Sequence, residues 1–135
     1  MATTIFGTSN IIRVNLGVAG LTNSTSGLII STIAGSEATA TTYTSAASNI
    51  ETITTLGTYA APTSGKCRFR VVDATNHPCI YEVQLADARF SVANSKRMIV
   101  SFSGGGLAAT GVHYEIDLIG DSNASNKLIR AGIGN

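Results

Sequence analysis

Hydrophobic residues recur at every second position along most of this chain, and at helical spacing almost nowhere. Ile12, Val14, Leu16 and Val18 alternate with Arg13, Asn15 and Gly17 and read as a first strand. Turn residues fill 23–27, and the β-branched run 28–34 reads as a second strand. Thr and Ala surround Tyr43 over 38–45, which favours a flat strand over a helix because Thr is stiff at χ1. A short strand is expected at 50–54, followed by a loop over 56–65 that carries Pro62.

The second half is better marked. Cys67, Phe69 and Val71 point one way and Lys66, Arg68 and Arg70 the other, giving a strand with one buried and one cationic face. After a loop at 73–78 its hairpin partner turns Cys79, Tyr81, Val83 and Leu85 inward and Ile80, Glu82 and Gln84 outward. The stretch 87–94 is the one helical candidate, a single turn that packs Phe90 while the chain crosses from one sheet to another. A strand at 98–103, a turn at 104–106 and a last strand follow, with Val112, Tyr114, Ile116 and Leu118 inside and His113, Glu115 and Asp117 outside. Seven or eight short strands at this spacing predict an all-β fold, a single antiparallel β-sandwich over 10–119 with one wet face on each sheet. Residues 1–9 and 120–135 fall outside that body and read as extended N- and C-terminal arms; Leu128, Ile129 and Ile133 in the second point to ordering on a neighbour.

Charge sharpens the picture. Only 13% of the 135 residues are charged, against about 25% in ordinary globular domains, and the formal net charge is +1. Between Val14 and Gly65 there is no Lys or Arg, and the acids are Glu37 and Glu51 alone. A dedicated nucleic-acid binder needs cations in number, so that class is set aside. No apolar run approaches the ~20 residues of a membrane-spanning helix, and the polar start lacks the regions of a secretion signal, so no membrane partner and a cytoplasmic synthesis are expected. The two cysteines lie on opposite arms of the predicted hairpin, Cys79 opposite Val72 and Cys67 near Gln84. That places them about 5 residues, or ~16 Å, apart at ~3.3 Å per residue, so two reduced thiols are expected.

Candidate chemistry is sparse. Gly106 and Gly111 have the spacing of a phosphate-binding loop, but Val112 and His113 stand where Lys and Ser or Thr are needed, so the segment reads as a hairpin turn. His77 and His113 have no second ligand at metal spacing, and Asp73 with Asn76 reads as an Asx-type turn rather than a calcium loop. Glu115 and Asp117, two apart on one face, could pair as in a glycosidase but read as a solvated face. No serine sits in a nucleophile elbow, and the sequons at Asn23 and Asn123 carry no weight without a secretion signal. Catalytic, cofactor-binding and metal residues are therefore none. The cationic trio Lys66, Arg68 and Arg70 is read two ways, as a strand face guarded by charge and as a docking stripe for an acidic protein surface.

One resemblance is carried by particular segments. Gly20-Leu-Thr22 leads into Ser26-Gly-Leu-Ile-Ile-Ser31, and Val72-Asp-Ala-Thr-Asn-His-Pro78 leads into Tyr81-Glu-Val-Gln-Leu-Ala-Asp87. Over about 11–119 the chain resembles small β-sandwich domains of tailed-bacteriophage virion proteins, with Cys79 where a glycine is commoner in their hairpin. The resemblance implies an immunoglobulin-like sandwich, although a jelly-roll strand order has the same alternation, and a structural role without an active site. The resemblance does not by itself say which part of the virion; because the chain is nearly all domain, with no fibre repeat, coiled coil or receptor-binding module, the expectation is a capsid decoration (cement) protein on the virion exterior that partners the major capsid protein and copies of itself, as a trimer or dimer, with Lys66, Arg68 and Arg70 against the capsid. A tail, baseplate or fibre adaptor is the neighbouring alternative. A carbohydrate-binding adhesin module is the more distant one, disfavoured by a chain without Trp.

Overall fold

The computed structural model describes residues 2–5 and 11–119, the first four by their backbone; the expected C-terminal arm 120–135 lies outside the described residues. Among the described residues nine strands form: β1 (Ala2–Ile5), β2 (Ile11–Asn15), β3 (Ile29–Ala34), β4 (Thr41–Thr44), β5 (Ile50–Thr52), β6 (Cys67–Asp73), β7 (His77–Gln84), β8 (Arg97–Ser103) and β9 (Val112–Ile119). They make a five-stranded sheet ordered β1-β9-β8-β3-β4 and a four-stranded sheet ordered β2-β7-β6-β5. With β2, β7 and β6 as B, E and D, and β3, β8 and β9 as C, F and G, this is the strand order of the immunoglobulin fold, which decides between the two orders the alternation allows. The expected crossover is a 3-10 turn at Asp87–Phe90 that carries the chain from the smaller sheet to the larger and buries Phe90 completely.

The inward faces meet as the period-2 pattern requires. Ile30, Val100, Phe102 and Ile116 of the larger sheet, with Leu28 just before β3, face Val14, Phe69, Tyr81 and Val83 of the smaller, all essentially inaccessible to solvent. The two sheets are joined at their centre by aromatic rings. Phe69 stacks on Tyr81 at 4.9 Å within the smaller sheet and reaches Phe102 of the larger at 6.5 Å. Both thiols are free; Cys67 is buried, which pushes its pKa up to about 12 and leaves it inert, and Cys79 is half-buried. Register places Arg68 opposite Gln84 and hence Cys67 beside the level of Leu85, within one residue of the expected position.

Three features differ from the alternation's forecast. Part of the expected N-terminal arm is strand: β1 lies parallel to β9, with Ala2 opposite Ile116. β5 also runs parallel, to β6, so each sheet is antiparallel with one parallel edge. Parallel neighbours need a crossover of a dozen or so residues, which is why the long segment 53–66 lies between β5 and β6. The third difference is that Glu82 and Gln84 point outward yet are only 3% and 4% exposed, because that segment folds over them.

The loops are closed by polar locks at both ends. At one end the Tyr81 hydroxyl donates to the Val18 carbonyl at 2.7 Å and accepts from the Leu21 amide at 3.1 Å, drawing the β2–β3 connection over the core. There Gly104, at a φ of +71°, passes so close to Gly27 that a Cβ would sit 1.8 Å from its carbonyl oxygen. At the other end the Arg89 guanidinium grips Glu37 through Nη2–Oε1 at 2.6 Å and Nη1–Oε2 at 3.0 Å, and its Nε donates to buried Thr32 at 2.9 Å. Ser36 completes this end by donating to the Ala93 carbonyl at 2.7 Å.

The Arg89 hydrogen bonds, and then the Ala34 amide, hold the Glu37 carboxyl at about 2, well below its ordinary 4.5. Its contribution to stability is therefore complete above pH 4.5 and is lost as the pH falls toward 2. We expect Glu37→Gln to cost about 2 kcal/mol at neutral pH. In urea melts the gap between variant and parent should close across that acid window, and a gap that stays constant would contradict the assignment.

Candidate functional site

Two outer faces are available for function, one per sheet. On the smaller sheet, pairing sets the residues in rows. Arg13 of β2 stands opposite Glu82 of β7, which stands opposite Arg70 of β6; Gln84 stands opposite Arg68, which lies beside Glu51 of β5. The predicted stripe of Lys66, Arg68 and Arg70 is thus brought together, all three half-buried, and it is interleaved with carboxylates.

Each arginine has work inside the fold. Arg70 donates through Nη1 to the carbonyls of Ile53 and Thr54, at 3.2 and 2.6 Å, and so anchors the start of the covering segment. Arg68 Nε lies 3.5 Å from Glu51 Oε1, an electrostatic contact without hydrogen-bond geometry. Glu51 in turn receives the Thr63 hydroxyl at 2.8 Å and the Thr63 amide at 3.1 Å, and these bonds, more than the nearby cations, depress its pKa.

The centre of this face is a cluster that sequence reasoning did not assemble. Glu82 accepts Arg13 Nε at 2.6 Å and the Tyr59 hydroxyl at 2.5 Å, and Gln84 donates to the Ala60 carbonyl at 2.9 Å. The bond to Glu82 holds the Tyr59 hydroxyl above its ordinary pKa. Arg13, 62% exposed, is the cation here that reaches furthest into solvent. It could have been placed in the group only by knowing that β2 pairs with β7, a contact between residues 69 apart in sequence.

The outer face of the larger sheet is different in kind. Along β9 and the start of β8 it carries charge: Arg97 meets Asp117 at 3.2 Å and Glu115 at 3.5 Å, so the carboxylate pair is neutralised by a shared cation. His113 has both ring nitrogens engaged at 2.8 Å, Nε2 with the Thr110 carbonyl and Nδ1 with the Ser101 hydroxyl. A carbonyl can only accept, so Nε2 donates to Thr110. Across β8, β3 and β4 the face is uncharged, with Ile33 opposite Ile99, and Ser31 opposite both Ser101 and Thr42.

The remaining sequence candidates fall into place as local structure. Asp73 accepts the amides of Thr75 and Asn76, each at 3.0 Å, in the expected Asx-type turn, and those bonds lower its pKa. The glycine-spaced segment 106–111 forms successive turns, Leu107 N to Gly104 O and Gly111 N to Ala108 O, in the β8–β9 connection. His77 is exposed at the start of β7. Among the depressions on the described surface, one of about 160 Å³ lies over Leu21 and Phe69 beside Arg70 and another of the same size beside Ile29 and Thr44. Both are smaller than the ~300 Å³ at which small-molecule sites begin. Among the described residues no group of three His, Cys, Asp or Glu side chains could hold a metal ion, and no helix is long and apolar enough to cross a membrane.

No protein-family model matches the chain, and no curated protein or solved structure gives a significant match to it.

Removing the Tyr59 hydroxyl leaves Arg13 to hold Glu82 alone. We expect Tyr59→Phe to cost about 1 kcal/mol and to speed limited proteolysis within 53–66 while the rest of the domain stays resistant. Unchanged cleavage there would show that other contacts fasten the segment.

Proposed function

We propose that the chain is a non-enzymatic structural subunit of a tailed-bacteriophage virion, a capsid decoration protein that associates with copies of itself and clamps neighbouring major capsid subunits from outside. The observation that carries this reading is the broad outer face of the larger sheet, uncharged over β3, β4 and the middle of β8, on a chain whose residues between Arg13 and Lys66 hold no cation. Proteins that stay dispersed as monomers normally intersperse both signs of charge over such a surface. The hairpin from Val72 to Tyr81, on which the resemblance to virion domains rests, supports the same reading: its Asx-type turn sits where that pattern places the loop.

In this account the two faces divide the work. The uncharged face supplies contact between subunits. The opposite face, with four cations (Arg13, Lys66, Arg68, Arg70) against Glu51 and Glu82, meets an acidic capsid surface. Binding the assembled shell better than its free subunits then stabilises the shell by mass action.

A tail, baseplate or fibre adaptor would use the same fold, and copy number separates the two. Quantitative mass spectrometry of purified particles should find this chain in numbers comparable with the major capsid protein. A few copies per particle would move it to the tail, and absence from particles would remove the virion reading.

A further inference from the structure

We infer that the segment 53–66 is a strap that lifts off the smaller sheet while the sandwich stays folded, and that an acidic partner docks by displacing it from Arg68 and Arg70. The displacement deepens the proposed function and rests on its acidic capsid surface; the lifting does not.

Apolar packing pins the strap at its roots and not between them. Ile53 at one root and Cys67 just past the other are buried, whereas every residue from Thr54 to Lys66 is exposed or half-buried, the Tyr59 ring among them. The backbone hydrogen bonds within the segment close turns inside the strap, Thr58 N to Thr55 O and Lys66 N to Thr63 O, rather than extending the sheet. Its hold on the sheet is a set of side-chain bonds: Arg70 to the Ile53 and Thr54 carbonyls, Tyr59 to Glu82, Gln84 to the Ala60 carbonyl, and Thr63 to Glu51. On opening, such bonds are exchanged for bonds to water, so each contributes little net. A segment that buries so little opens far more easily than the domain unfolds.

What lies beneath also favours opening. Gln84 Oε1 and Arg68 Nε, on side chains that register sets opposite each other, find no hydrogen-bond partner within the protein. Burying an unpaired polar atom is costly, and lifting the strap hydrates both.

The electrostatics say what takes the strap's place. Residues 53–65 carry no charge, so the closed strap leaves the positive balance of the face unmet. It holds Arg70 through neutral carbonyl oxygens, and Arg68 meets Glu51 at 3.5 Å without hydrogen-bond geometry. A carboxylate matches the guanidinium fork with two charge-assisted bonds, each roughly twice as strong as a bond to a neutral oxygen. Glu82 does not repel such a partner when Tyr59 leaves, because Arg13 stays on it at 2.6 Å.

The test is amide hydrogen exchange read residue by residue by NMR, in the parent chain and in Glu37→Gln, with poly-L-glutamate as the acidic probe. Glu37→Gln weakens the lock with Arg89, away from the strap, and so lowers global stability alone. The inference predicts that the Thr63 amide, held by Glu51 in the closed strap, exchanges equally fast in both, while the core amides of β6 and β7 exchange ~30-fold faster in the variant. Should the variant fail to fold, urea below the unfolding transition makes the same distinction, because a local opening exposes little surface and responds little to denaturant. Poly-L-glutamate at low salt should bind and speed Thr63 exchange, where a ligand resting on a closed strap would slow it. A Thr63 amide that follows the core amides overturns the lifting and leaves docking on the closed face. Binding with Thr63 exchange unchanged or slowed overturns the displacement. No binding at all removes the displacement together with the acidic-surface part of the proposed function.

Discussion

The fold depends on one buried hydroxyl. Tyr81 is wholly inaccessible, its ring stacked on Phe69 at 4.9 Å, so its oxygen must find partners within the protein. It finds them in the Val18 carbonyl and the Leu21 amide, both in the connection between β2 and β3. That connection is thereby drawn across the end of the sandwich, where Leu21 reaches Gly105 and Gly27 passes Gly104 at a distance only glycine allows. The same residue that packs the core therefore decides how the loops close over it. Arg89 has the matching role at the far end, satisfying buried Thr32 while it ties the crossover to Glu37.

Much of this was legible in the sequence, because alternation reports which side chains face inward. The core strands, the single turn at Phe90, the Asx-type turn at Asp73 and the reduced thiols all follow from local pattern. Alternation does not report what covers an outward face. Glu82 and Gln84 were expected to be wet; they are dry because 53–66, a Thr-rich segment with no periodicity, crosses them and donates Tyr59 to the carboxylate. The parallel edges were equally silent, since a parallel pair has no hairpin turn to announce it: β1 finds β9, and β5 finds β6, only in three dimensions.

The cationic stripe shows the same limit in functional terms. Lys66, Arg68 and Arg70 do share a face, as their spacing requires, but their partners come from other strands. Glu51 reaches Arg68 from β5, and the carbonyls of Ile53 and Thr54 hold Arg70. What the face presents to solvent is set more by Arg13, which stands far away in the chain. The larger sheet's outer face needed the opposite step: its residues are unremarkable singly, and only register sets Ile33 beside Ile99 and Ser31 beside Ser101 as an uncharged patch next to the charged positions of β9.

The proposed function has this low-charge chain covered on both faces, once by its own kind over the uncharged part of the larger sheet and once by something acidic over the smaller. The measurement that tests this most directly is the mass of the purified protein by light scattering, repeated after mixing with empty expanded capsids and pelleting. The account predicts a stable trimer or dimer that sediments with the shells at near-lattice stoichiometry. A species that stays in the supernatant whatever the shell concentration would contradict it.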